Sequence, residues 1–258
     1  MLKKYKIMSC CIILMLTITG CSNKLNDINS KEDLNYKNIG VYTGSEYDVI
    51  INENILDANI VYFNSYSDQI SALKSGKIDG FLTDEPLAKQ ILKENEGLKI
   101  LNNKLTTDSY AFAINPKKDN LKKDIDNVIT EIEKNGKLKD FENKWMGNNE
   151  NIKVLEKYNN KNLKGTIKFA TVSGSAPFAY IKNNEIVGYD IDVINYIGYK
   201  LGYKIEIIEM SFDGIIPAIA SGKVDMAGCS IIVTEERKKS VLFSKPDYTG
   251  GIVVVVRN

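Results

Sequence analysis

The chain predicts an α/β fold built as two lobes around a cleft, and three observations carry that expectation. Short apolar runs alternate with segments of helical period from residue 38 onward. A phrase recurs: residues 72–80 and 218–226 share Ala, Ser, Gly, Lys and Asp at the same places. Each has an amphipathic lead-in, residues 67–74 and 212–220, then Ser-Gly-Lys and an apolar run with Asp79 or Asp225 at its mouth. That pattern reads as a helix, a glycine C-cap at Gly76 or Gly222, and a buried strand. Two such αβ units mark two lobes, and small ligands usually sit between lobes.

The N-terminus answers a different question. Lys3, Lys4 and Lys6 precede an apolar run over 7–18, which is short for a bilayer span and right for the h-region of a signal peptide. Ile18-Thr19-Gly20-Cys21 resembles the lipobox of bacterial lipoproteins, which implies cleavage before Cys21 and lipidation there. The expected start is therefore a signal peptide over 1–20 and a polar, flexible tether over 21–36.

Beyond the tether, strands are expected at 38–42, 59–63, 78–82, 99–101 and 110–114, with helices at 67–74 and from Pro86 to about residue 93. Leu121, Ile125, Val128, Ile129, Ile132, Leu138 and Phe141 keep a helical period broken at Gly136, which predicts two helices over 120–145. Residues 149–164 are Asn- and Lys-rich and read as a linker. Strands follow at 166–172, 205–208, 224–228 and 252–256, with a turn at Asn183-Asn184 and helices over 191–201 and 212–220. Thr234 N-caps a short charged turn.

Composition narrows the chemistry. The net charge of +1 gives no reason to expect nucleic acid or an electrostatic membrane role. The chain has no histidine, which removes Ser–His and Cys–His catalysis, most zinc chemistry and the usual general base near neutral pH. Cys10 and Cys11 fall in the expected signal peptide and Cys21 would carry lipid, so Cys229 is the one thiol left and an internal disulfide is not expected.

Several motifs then stand in a telling order. Gly188-Tyr-Asp-Ile-Asp192, Phe212-Asp213-Gly-Ile-Ile-Pro217, Ser221-Gly-Lys-Val-Asp225, Thr234-Glu-Glu-Arg237 and Phe243-Ser-Lys-Pro-Asp-Tyr248 resemble the first lobe of the bacterial extracellular solute-binding proteins of family 3, the binding proteins of polar amino-acid ABC importers. Ile39-Gly-Val-Tyr-Thr-Gly-Ser45, Ser75-Gly-Lys-Ile-Asp79, Thr83-Asp84-Glu85-Pro86 and Tyr110-Ala-Phe-Ala-Ile114 resemble the remainder of that family. The resemblance implies a two-lobed periplasmic-binding-protein-like (type II) fold. Its departure is order: the segment that comes first in the family comes last here. The expected plan is a second lobe over 37–108, a return to the first lobe over 109–148, a linker over 149–164 and the first lobe over 165–258. A circular permutant fits this plan, with 149–164 joining the old ends. A fragment of a tandem array fits it as well.

The resemblance also implies site residues. Arg237 matches the family's carboxylate-binding arginine, and a guanidinium pairs bidentately with carboxylate; a solvated charge beside Lys238 is the alternative. Asp84 matches the ammonium-binding aspartate at a strand's C-terminal end, with a helix cap before Pro86 as its alternative. Gly44, Ser45 and Glu46 would present N–H groups at a helix start, where Ser45 is a plausible N-cap. The Glu46 side chain would complement the helix dipole or favour a cationic ligand. Ser230 matches a hydroxyl position. Ile232 stands where the family has Ser or Thr and keeps only its N–H. Phe212 matches an apolar wall, and Ser175 stands where an aromatic often stacks. Phe178 reads as core support, and Asp190 and Asp192 as structural groups near a helix start.

Binding rather than chemistry is the expected function, with no cofactor and no metal. The implied ligand is a small amino acid-like molecule, and the implied partner is an ABC permease reached from a lipid anchor on the outer face of the cell membrane. A sensor or interaction module and a non-binding tandem-array fragment are the alternatives that use the same fold.

Overall fold

The computed structural model describes residues 27–159 and 163–258. The expected signal peptide, Cys21 and the middle of the linker lie outside the described residues. What is described is a mixed α/β molecule with two five-stranded sheets, each flanked by helices, as the sequence predicts.

The first sheet opens with β1 (Asn38–Tyr42), α1 (Tyr47–Asn54), β2 (Asn59–Phe63), α2 (Tyr66–Lys74), β3 (Gly80–Asp84), α3 (Glu85–Glu94) and β4 (Leu98–Ile100). β5 (Asp108–Tyr110) then leads to β6 (Ala113–Ile114), followed by α4 (Asp119–Lys134) and α5 (Lys137–Met146). The second half holds β7 (Gly165–Thr171), β8 (Gly174–Ser175), β9 (Ala179–Lys182), β10 (Glu185–Val187), α6 (Tyr189–Leu201), β11 (Tyr203–Glu209), α7 (Phe212–Ser221) and β12 (Met226–Ala227). It closes with α8 (Glu235–Lys238), β13 (Leu242–Phe243), β14 (Tyr248–Gly250) and β15 (Ile252–Arg257).

The sheet orders are β2-β1-β3-β15-β4 and β11-β7-β12-β6-β13. Two strand paths run between them. The path expected as a single strand over 110–114 is divided, with β5 in a ribbon with β14 and β6 in the second sheet. The other path runs from β13 through β14 into β15, which pairs antiparallel with β3 and β4. The final strand of the segment expected as the first lobe is thus hydrogen-bonded into the sheet of the other lobe. The reason is burial: Ile252, Val254 and Val256 face one cluster with Ile39 and Val41, while Val253 and Val255 face another with Leu73 and Phe81. A run of valines suits a central strand covered on both faces.

The repeated phrase does the same work twice. Gly76 and Gly222 end α2 and α7 with φ of +76° and +83°. Asp79 accepts the Asn38 N–H at 3.0 Å, and Asp225 accepts the Lys168 N–H at 2.7 Å. Each aspartate thereby ties its strand to the neighbouring parallel strand, at the start of β1 and in the middle of β7.

The stretch expected as a flexible tether is partly seated, and the linker packs in part. Within the tether, Ile28 and Leu34 are buried against the first lobe-two cluster, and Asp33 accepts the N–H groups of Asn29 and Ser30. Polar composition concealed two apolar anchors there. In the linker, Leu155 packs on the other lobe's core and the Lys182 ammonium donates to the carbonyls of Glu150 and Lys153.

Candidate ligand-binding site

On one side of the cleft, β3 is buried throughout and delivers Asp84 at its C-terminal end. Asp84 precedes α3, yet its side chain makes no capping bond. One carboxylate oxygen accepts the Tyr110 hydroxyl at 2.6 Å, and the other accepts the hydroxyls of Tyr47 at 3.2 Å and Ser230 at 3.0 Å. The first two donors come from α1 and the β5 ribbon, and the third comes from the opposite lobe. Burial pushes the Asp84 carboxyl up to about 6, against the lowering effect of those three hydrogen bonds.

The turn before α1 brings the lobes together. Gly44 has φ of +81°, and a Cβ there would meet the Asp213 Cα at 2.7 Å, so this position needs glycine both for its backbone conformation and for its approach to α7. Ser45 donates its hydroxyl to the Tyr42 carbonyl and accepts the Tyr47 N–H at 3.3 Å, while the Ser45 N–H goes to the Tyr42 carbonyl. The expected row of free N–H donors over 44–46 is therefore partly spent inside the turn itself. The N-cap position of α1 is Glu46, not Ser45.

On the other side, the Thr234 hydroxyl accepts the Arg237 N–H at 3.2 Å, which fixes the short helix α8 as expected. That turn points Arg237 inward, and it is 6% exposed, so it is not a solvated surface charge. Its guanidinium donates to the Ile232 carbonyl at 2.9 Å and the Gly44 carbonyl at 3.2 Å, and its Nε lies 3.2 Å from a Glu46 carboxylate oxygen. Desolvation lowers its basicity and the Glu46 charge opposes that. Its Cζ lies 5.7 Å from the centre of the Phe212 ring.

These groups share one cavity. Ser45, Glu46, Ser175, Phe212, Ser230, Ile232 and Arg237, all named from the sequence, line it. Asp84 and Gly44 stand just behind the lining, held by Ser230 and Arg237. Ile232 contributes its carbonyl to Arg237, so its lack of a hydroxyl leaves the arginine held all the same. Phe178 is fully buried between Tyr110 and Tyr189, in the core. Asp192 bonds Lys144 and Trp145 behind the site. Asp190 accepts the Ser230 N–H at 3.1 Å, and burial pushes its carboxyl up to about 7.

Sequence reasoning missed Tyr42, Tyr47, Tyr66 and Cys229, which complete the lining. The Tyr42 ring lies 4.8 Å from that of Tyr66 and 6.0 Å, edge-on, from Phe212. These tyrosines supply, from the other lobe, aromatic surface that Ser175 lacks. Their signal was available: Tyr42 ends β1 and Tyr66 begins α2, at the strand ends where α/β sites form. Burial pushes the Cys229 thiol up to about 12, so it is an inert wall. Among the described residues no group of three or more Cys, Asp or Glu side chains gathers to hold a metal ion. The arrangement offers a cation and a carboxylate from opposite lobes, an aromatic wall and no nucleophile–base pair, which is equipment for holding a small polar molecule.

Part of the chain is similar to known proteins. Residues 167–258 match the family model of the bacterial extracellular solute-binding proteins, family 3. A probable histidine-binding protein of Campylobacter jejuni is 40% identical over 90 residues, 35% of this chain and 35% of that protein. The arginine-binding extracellular protein ArtP of Bacillus subtilis is 38% identical over 79 residues, 31% of each. The chain thus spans about a third of the length of these curated relatives. Among solved structures, the ligand-binding component of an ABC-type import system from Staphylococcus aureus covers 85% of this chain, and 65% of its own, at 16% identity and a TM-score of 0.44.

Proposed function

We propose that this chain, whose residues 167–258 belong to the bacterial extracellular solute-binding proteins of family 3, captures a small amino acid between its lobes and delivers it to an ABC permease. One observation carries the reading: Arg237 and Asp84, of opposite charge and both buried, come from opposite lobes to one cleft. An α-carboxylate would take the guanidinium and an α-ammonium the Asp84 carboxylate, so a single zwitterion would bridge the lobes. Closure around it is a hinge motion, and the two strand paths through the β5–β14 ribbon are the segments that would bend. A lipid anchor at Cys21 would hold the protein outside the membrane, within reach of its permease. Among the described residues no helix is long and apolar enough to cross a membrane. The reversed lobe order is read as a circular permutation, with 149–164 as the joining segment.

Isothermal titration of the mature protein against the amino acids tests the proposal. At least one binds with micromolar or tighter affinity, and Arg237→Gln loses the heat. Absence of binding to every amino acid refutes it.

A further inference from the structure

If a zwitterion bridges the lobes, its two charged ends have two destinations, and this inference rests on that reading. In the structure both destinations are already occupied by the protein. Arg237, on one lobe, is paired with Glu46 at 3.2 Å and bonded to the Gly44 carbonyl, both on the other. Asp84 receives the Ser230 hydroxyl from across the cleft at 3.0 Å. We propose that Glu46 is an internal substitute for the ligand's carboxylate, that it latches the lobes shut in the ligand-free protein, and that ligand enters by displacing it.

Three features support a latch over a simple complement to the helix dipole. Glu46 occupies the N-cap position of α1, yet its side chain makes no capping bond and reaches across the cleft instead. The pair is largely withdrawn from water, with side-chain exposures of 24% for Glu46 and 7% for Arg237, so solvent screens it little. The cavity left between the lobes is about 20 Å³, room for roughly one water molecule. An amino acid therefore requires opening, and opening breaks this pair.

Two consequences follow. The apparent affinity is reduced by the fraction of empty molecules that are open. Selection also sharpens, because a molecule with both a carboxylate and an ammonium replaces both cross-lobe contacts, whereas one with a single charge leaves the other destination unpaired.

Small-angle scattering of the ligand-free protein and titration with the amino acids test this together. The wild type stays near the about 17 Å radius of gyration expected for a compact body of some 230 residues. Glu46→Gln expands without ligand and binds its amino acid about tenfold more tightly, the factor for an empty state that is ~10% open. If Glu46→Gln fails to fold by circular dichroism, Arg237→Gln severs the same pair from the other lobe and must expand the empty protein too. An extended wild type, or an unchanged curve in these variants, overturns the latch. A Glu46→Gln protein that expands but binds no tighter overturns the competition. A protein that expands on Glu46→Gln yet binds no amino acid keeps the latch and rejects the amino-acid reading.

Discussion

Removing the Asp192 carboxylate should cost more stability than any surface change in this protein. Asp192 sits in the first turn of α6 and is fully buried. It accepts the Lys144 ammonium at 2.6 Å and the Trp145 indole N–H at 3.0 Å, both from α5, and the Glu156 N–H of the linker at 3.4 Å. Asp192→Ala leaves a buried ammonium and an indole donor without a partner. The loss from one side of a buried pair is about 3–5 kcal/mol, and the 14% exposure of the Lys144 side chain favours the lower end. Against a total of about 5–15 kcal/mol, ~3 kcal/mol lowers Tm by roughly 6–12 °C for a chain this long. Urea unfolding should show the midpoint fall with an unchanged slope. Lys144→Met added to Asp192→Asn should recover most of the loss, because the pair then leaves no orphan charge. A change under ~0.5 kcal/mol for Asp192→Ala, the range of ordinary surface substitutions, would refute the idea that this carboxylate ties α5 and the linker to α6.

Two further expectations concern the site and the turn behind it. The Asp84 and Asp190 carboxyls lie at about 6 and about 7 in the folded chain, raised by burial above the ordinary 3.8. The folded state therefore holds more protons than the unfolded one between about pH 4 and 7, and stability falls as pH rises through that window. Thermal melts across pH 4–8 should show that slope, and Asp190→Asn should make it shallower, leaving the Asp84 share, while stabilising the protein at pH 8 by roughly 3 kcal/mol; a flat wild-type profile contradicts the burial argument. Gly188 has φ of +138°, and a Cβ there would lie 2.2 Å from the Phe178 carbonyl oxygen. Gly188→Ala should destabilise by more than about 3 kcal/mol in urea unfolding, and a near-neutral result would mean that the turn before α6 adapts.

The candidate site residues came from the family resemblance, and local grammar shows how the chain presents two of them. Thr234 caps α8 and so aims Arg237, and Asp84 ends an apolar strand ahead of Pro86. The aromatic wall was less readable. Tyr42 and Tyr66 look like ordinary strand and helix residues until the lobes meet, and the contact of Tyr42 with Phe212 joins segments far apart in the chain. The helix-start donors were misjudged for a related reason. Ser45 satisfies its own turn, and only the folded backbone shows that its N–H is spent there.

The sequence by itself determined the alternation of strands and helices, the matching αβ junctions at Gly76 and Gly222, and the cap at Thr234 ahead of Arg237. Each is set by local periodicity, capping chemistry or backbone conformation, which neighbouring residues dictate. Tertiary structure alone decided that β15 leaves its own lobe to fill a gap between β3 and β4, and that Ile28 and Leu34 anchor a polar stretch. It alone placed Glu46 on Arg237 across the cleft. Burial and charge pairing between distant segments are properties of the assembled fold, and no local stretch of sequence encodes which partner will be nearest.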